Sequence, residues 1–166
     1  MLVLTALALA LGAWCGMVLA AVPDHPAGVL GSRKLGAAPD CSGVVAFSGA
    51  GARARSADSM LAFSASLTDR GVGWSSHSGE FTCHCPGLYQ LSFAGYGSPE
   101  ARVVLKRQAS NHTEWSAVLS TGPGGGANIA LIDMDVGDKA ALFLQGGALQ
   151  GEPETSSFSG LRVAKK

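Results

Sequence analysis

The side chains with chemistry to offer are few: four cysteines, four histidines, one sequon and a short group of aspartates in 166 residues. Cys83-His84-Cys85, with His77 nearby, is the arrangement that invites a metal. Along a strand, however, Cys83 and Cys85 share one face and His84 takes the other. The same parity makes a bond between Cys83 and Cys85 a poor fit. Both are therefore expected as small buried hydrophobes beside Phe81, and no metal is assigned. Cys15 falls in an apolar N-terminal stretch read as removed, which leaves Cys41, Cys83 and Cys85. An odd number in an exported chain implies an intermolecular bond or a free thiol. Cys41 lies in a mobile, Pro- and Gly-containing segment and is the expected interchain disulfide.

Asp133, Asp135 and Asp138 form the tightest acidic group. Asp138 follows Gly137 and reads as a turn residue; calcium, a natural partner of carboxylates, is the functional alternative. The chain has no nucleophile elbow, no His-Glu-x-x-His and no carboxylate pair spaced for glycoside hydrolysis, so no enzyme and no cofactor are expected. Thr121 to Gly126 is glycine-rich but lacks the Gly-Lys-Ser/Thr ending of a phosphate loop, and it reads as a strand connection. Asn111-His112-Thr113 is an N-glycosylation sequon at a hairpin position, making Asn111 the expected acceptor.

The elements that must hold these groups read as strands. Phe81, Cys83 and Cys85 alternate with Glu80, Thr82 and His84; Pro86-Gly87 interrupts; Tyr89, Leu91 and Phe93 then alternate with Gln90 and Ser92. This predicts an antiparallel pair with Phe81 and Tyr89 facing inward. Further strands are expected from Ala101 to Gln108, Trp115 to Leu119, Ile129 to Val136 and Lys139 to Gln145. The last two are apolar on both faces and need two covers, one an opposing sheet and the other a neighbouring subunit. Only 14% of residues are charged and 23 are glycine, a balance favouring a turn-rich all-β domain over a helical bundle. Lys plus Arg and Asp plus Glu are 12 each, so the basic surplus of a nucleic-acid binder is missing.

The wording of Gly79 to Phe93 resembles the strand-turn-strand of the complement C1q globular-head family, Gly-x-Phe-Thr-Cys-x-Val-Pro-Gly-x-Tyr-x-Phe-x-Phe. Val45-Ala46-Phe47-Ser48 resembles its opening strand, Phe63 to Gly71 its following segment, and Phe158-Ser159-Gly160 its closing Phe-Ser-Gly. Trp74 stands where the family usually has tyrosine, and Cys85 where it usually has valine. The similarity covers roughly Gly43 to Val163. It implies a two-sheet jelly-roll sandwich of about ten antiparallel strands, shared with tumour necrosis factor-like ligands, assembled as a homotrimer. The expected core is Phe47, Phe63, Phe81, Tyr89, Phe93, Phe143 and Phe158.

Residues 1–20 read as a cleaved secretory signal, 21–42 as a flexible leader and 43–166 as the globular domain. The leader has no Gly-X-Y repeat and no heptads, pointing to the stalkless secreted members. The expectation is thus a secreted, extracellular glycoprotein with no membrane insertion after cleavage. Its partners would be an extracellular protein or glycan, in pattern recognition or lectin-like binding of innate immunity. The alternative is a signalling or synapse-organising ligand, cerebellin- or adipokine-like, and the two differ in the loops Arg70 to Ser78, Asn111 to Glu114 and Gln145 to Glu154.

Overall fold

The computed structural model describes residues 41–166. The expected signal, and the leader except Cys41 and Ser42, lie outside the described residues. Ten strands follow in order: β1 Ala46–Ala54, β2 Leu61–Arg70, β3 Trp74–Ser75, β4 Glu80–Thr82, β5 Gly87–Tyr96, β6 Arg102–Gln108, β7 Ser116–Ser120, β8 Gly125–Met134, β9 Lys139–Gln145 and β10 Ser157–Lys165. They form two five-stranded antiparallel sheets, β2-β1-β10-β5-β8 and β3-β4-β9-β6-β7. This is the expected all-β jelly-roll sandwich. Among the described residues no helix is long and apolar enough to cross a membrane.

The core between the sheets is aromatic. Phe47 stacks on Trp74 at 4.5 Å and on Phe81 at 4.8 Å, and meets Phe158 edge-on at 5.1 Å. Phe81 in turn contacts Tyr89 at 5.3 Å. Space for these rings comes from glycine. A Cβ on Gly160 would lie 2.2 Å from the Phe47 ring, and one on Gly49 would lie 2.8 Å from Trp74. All seven expected core aromatics are buried.

Two expectations change. β4 and β5 are not a hairpin: β4 pairs with β3 and β9, whereas β5 pairs with β10 and β8 in the other sheet. Residues 83–86 cross between the layers. Alternation reports which way a side chain faces, and a segment that changes sheets keeps the same inward parity. The second correction concerns β9. Its outward Ala141 and Phe143 are covered within the chain, by Met60 and Trp115, with the Lys106 ammonium 4.4 Å from the Phe143 ring centre. The β1–β2 connection brings Met60 there, held by a hydrogen bond from the Leu144 amide to the Ser59 carbonyl.

Truncating a buried aromatic leaves a void that the surroundings fill only in part. Phe81→Ala should therefore destabilise the domain by about 3–5 kcal/mol. A thermal melt followed by circular dichroism checks this; an unchanged midpoint would place Phe81 outside the core.

Candidate functional site

The outward face of the first sheet is paved with small side chains. Ala65, Ala50, Ser157, Ala94 and Ala127 form one row of paired residues across the five strands. Thr68, Ser48, Ser159, Ser92 and Ile129 form the next, and Arg70, Ala46, Leu161, Gln90 and Leu131 the third. Within these rows Arg70, at one edge, is the sole charge. Ser48 and Ser159 satisfy each other with a 2.7 Å hydroxyl contact. The small residues leave two shallow hollows, of about 550 Å³ beside Ala94, Ala127 and Ile129 and about 250 Å³ beside Ser48, Ser159 and Leu161. At the β8 edge, Ile129 and Leu131 are each 60% exposed, and Leu161 is 45% exposed in the middle of the sheet. A face of small side chains edged by exposed Ile129 and Leu131 offers shape and apolar area, the properties of a contact surface.

Asp138 organises the opposite kind of site, a buried polar hub. Its carboxylate accepts hydrogen bonds from the Arg107 guanidinium, the Ser110 amide at 2.9 Å and the Asp135 amide at 2.9 Å. Backbone bonds link Cys83 to Asp138 and Gly137 to Cys83, fastening the β8–β9 turn to the crossover. The turn role expected of Asp138 is thus one part of a larger one. Asp135 faces solvent and pairs with Lys166 at 2.8 Å, and Asp133 is exposed. Among the described residues no three acidic, histidine or cysteine side chains cluster as a metal group.

Burial alone would push the Asp138 carboxyl up, but the Asp135 amide, the Arg107 side chain and the Ser110 amide outweigh it and hold the group below the ordinary range. The folded protein therefore takes up this proton less readily than the unfolded chain. The resulting stabilisation is complete above about pH 5 and disappears as pH falls through the lowered folded value. Asp138→Asn should be less stable at neutral pH and show a flatter loss of stability on acidification, measured by urea unfolding across the acid range. Parallel acid profiles for the two proteins would remove Asp138 from the hub.

The cysteines correct another expectation. Cys41 bonds Cys85 of its own chain, with Cα atoms 5.4 Å apart, so Cys41 makes no interchain disulfide. The segment around Cys41 is held rather than mobile: Arg162 donates to the carbonyls of Cys41 and Gly43 at 2.6 and 2.8 Å, and Lys165 to that of Ser42 at 3.0 Å. The crossover brings Cys85 to that point, a position that strand parity alone does not reveal. Cys85 is nonetheless buried, as expected, and Cys83 is the free, buried thiol, pushed up by desolvation. The Cys83 thiol donates to the Cys85 carbonyl at 3.4 Å and the Tyr89 hydroxyl to the same oxygen at 2.6 Å. His84 is exposed, whereas Cys83 and Cys85 on either side of it are buried. Closing a loop across 44 residues should make Cys41→Ser about 2–4 kcal/mol less stable. Non-reducing peptide mapping of the wild type should recover Cys41 joined to Cys85; a Cys41–Cys41 peptide would restore the interchain bond.

The three divergent loops do not converge. Residues 109–115 join β6 to β7 beside the β8–β9 turn, through the bond from Ser110 to Asp138. Residues 146–156 lie at the other end, bonded to the β5–β6 connection through Ser98 with Ala148 and to the end of β5 through Gln150 with Tyr96. Arg70 to Ser78 runs from the end of β2 through β3.

The description "C1q domain" matches residues 46–163. No curated protein matches the chain in sequence. Among solved structures, the globular domain of zebrafish complement 1qA protein is similar with 20% identity and a TM-score of 0.58, over 75% of this chain and 100% of that one. Murine APRIL is similar at 10% identity and a TM-score of 0.57, over 73% and 100%. Eiger TNF from S. frugiperda is similar at 17% identity and a TM-score of 0.52, over 74% and 94%. These structural likenesses are of fold. The match to the C1q domain spans most of the chain, and the chain belongs to the C1q domain family.

Proposed function

We propose that this chain is a secreted, non-enzymatic C1q-type protein that assembles as a homotrimer and recognises extracellular targets through the loops at the ends of its sandwich. The observation that carries the assembly is the outward face of the first sheet. Alanine and serine there allow a second backbone to approach closely, and the exposed Ile129 and Leu131 beside them supply apolar area that water disfavours. Three copies is the number that the family resemblance implies. Pattern-recognition or lectin-like binding is the role assigned to the assembled loops.

Light scattering of the secreted protein at micromolar concentration should give three times the subunit mass. Leu131→Glu places a charge in the contact face while leaving the buried core untouched, and should yield a folded monomer with a wild-type melt. A Leu131→Glu trimer would move the interface elsewhere, and a wild-type monomer would end the assembly claim. Glycan-array and microbial-surface binding, run beside a cell-surface receptor screen, tests the target class. Saturable binding to glycans or microbes by the trimer supports recognition; binding confined to one cell-surface protein assigns the signalling alternative.

A further inference from the structure

We propose that Asn111 carries an N-linked oligosaccharide, placed so that it leaves the contact face of the first sheet open. The modification rests on the extracellular part of the functional reading, and its placement on the contact face proposed above. Asn111-His112-Thr113 has the acceptor pattern with a middle residue other than proline. The structure puts all three residues, exposed, in the turn between β6 and β7. The turn is braced by its neighbours and not by the acceptor. Ser110 donates its amide to Asp138 at 2.9 Å, the His112 amide reaches the Ala109 carbonyl at 2.9 Å, and the Gln108 side chain bonds the Thr113 carbonyl. Among the described residues no hydrogen bond engages the Asn111 carboxamide or the Thr113 hydroxyl, so a sugar on Asn111 displaces no contact of the fold.

The transfer is balanced with a lipid-linked oligosaccharide pyrophosphate as donor. A bond forms between Asn111 Nδ2 and the sugar anomeric carbon, the bond from that carbon to the pyrophosphate oxygen breaks, the lipid pyrophosphate leaves, and the amide loses one proton. The turn belongs to the second sheet and abuts Gly137 and Asp138. The rows of Ala and Ser belong to the other sheet. A bulky glycan on this turn therefore stays clear of the rows that contact another copy.

The full chain, expressed in an animal cell line and collected from the medium, should lose the mass of one glycan on treatment with peptide-N-glycosidase. Asn111→Gln and Thr113→Ala should migrate as the treated wild type, while Thr113→Ser should keep the shift. Asn111→Gln should also keep the wild-type oligomeric mass. Secreted wild type at bare polypeptide mass would overturn the proposal while leaving the extracellular reading intact. If the chain is not exported by its own N-terminal segment, the extracellular reading falls; the same variants behind a heterologous signal still decide Asn111. An Asn111→Gln variant that changes oligomeric state would overturn the placement away from the contact face.

Discussion

The ring of Phe47 joins the two layers. It rises from β1 in the first sheet and stacks on Trp74 and Phe81 of the second, with Phe158 of β10 against its edge. Stacked and edge-on pairs at these separations add to the burial of the rings themselves. The contact is available because Gly160 and Gly49 have no Cβ where the rings of Phe47 and Trp74 lie. Phe47 thus lies over Gly160, its cross-strand partner in the same sheet, and Trp74 of the opposing sheet lies over Gly49. The conformational freedom of glycine is incidental at these two positions; the missing carbon is what matters.

The outward face of the first sheet shows a related pairing, large inside and small outside. On β1, inward Phe47 is flanked by outward Ala46 and Ser48; on β5, inward Phe93 is flanked by outward Ser92 and Ala94. The low charge of the chain has a place in the structure as well. The outward rows of the first sheet hold one charge, whereas two ion pairs, Arg107 with Asp138 and Lys166 with Asp135, meet at the β8–β9 turn. That hub joins the β8–β9 turn, the β6–β7 turn and the crossover, three connections that burial of apolar surface would not hold together.

Facing was legible in the sequence because strand alternation encodes it directly. Phe81, Tyr89, Leu91 and Phe93 are all inward, and His84 is outward, as their parity required. Partnership was not legible. Nothing in the run from Phe81 to Phe93 distinguishes a hairpin from a strand that crosses to the opposing sheet, because both keep one inward face. The disulfide was hidden for the same reason. Parity placed Cys85 in the core, and only the crossover brings it to the point where residues 41–43 are held by Arg162 and Lys165. The outer cover of β9 also escaped, since Met60 reaches Phe143 through a connection with no periodicity to read.

The bond between Cys41 and Cys85 also sets how a pull on the preceding segment would be carried. Without it, tension arriving at residue 41 would load the start of β1 and open its ladders one bond at a time. With it, tension passes into residues 83–86, which are tied to one sheet through β4 and to the other through β5. Both layers then share the load. A force applied at residue 41 would therefore meet the two sheets together instead of the edge of one.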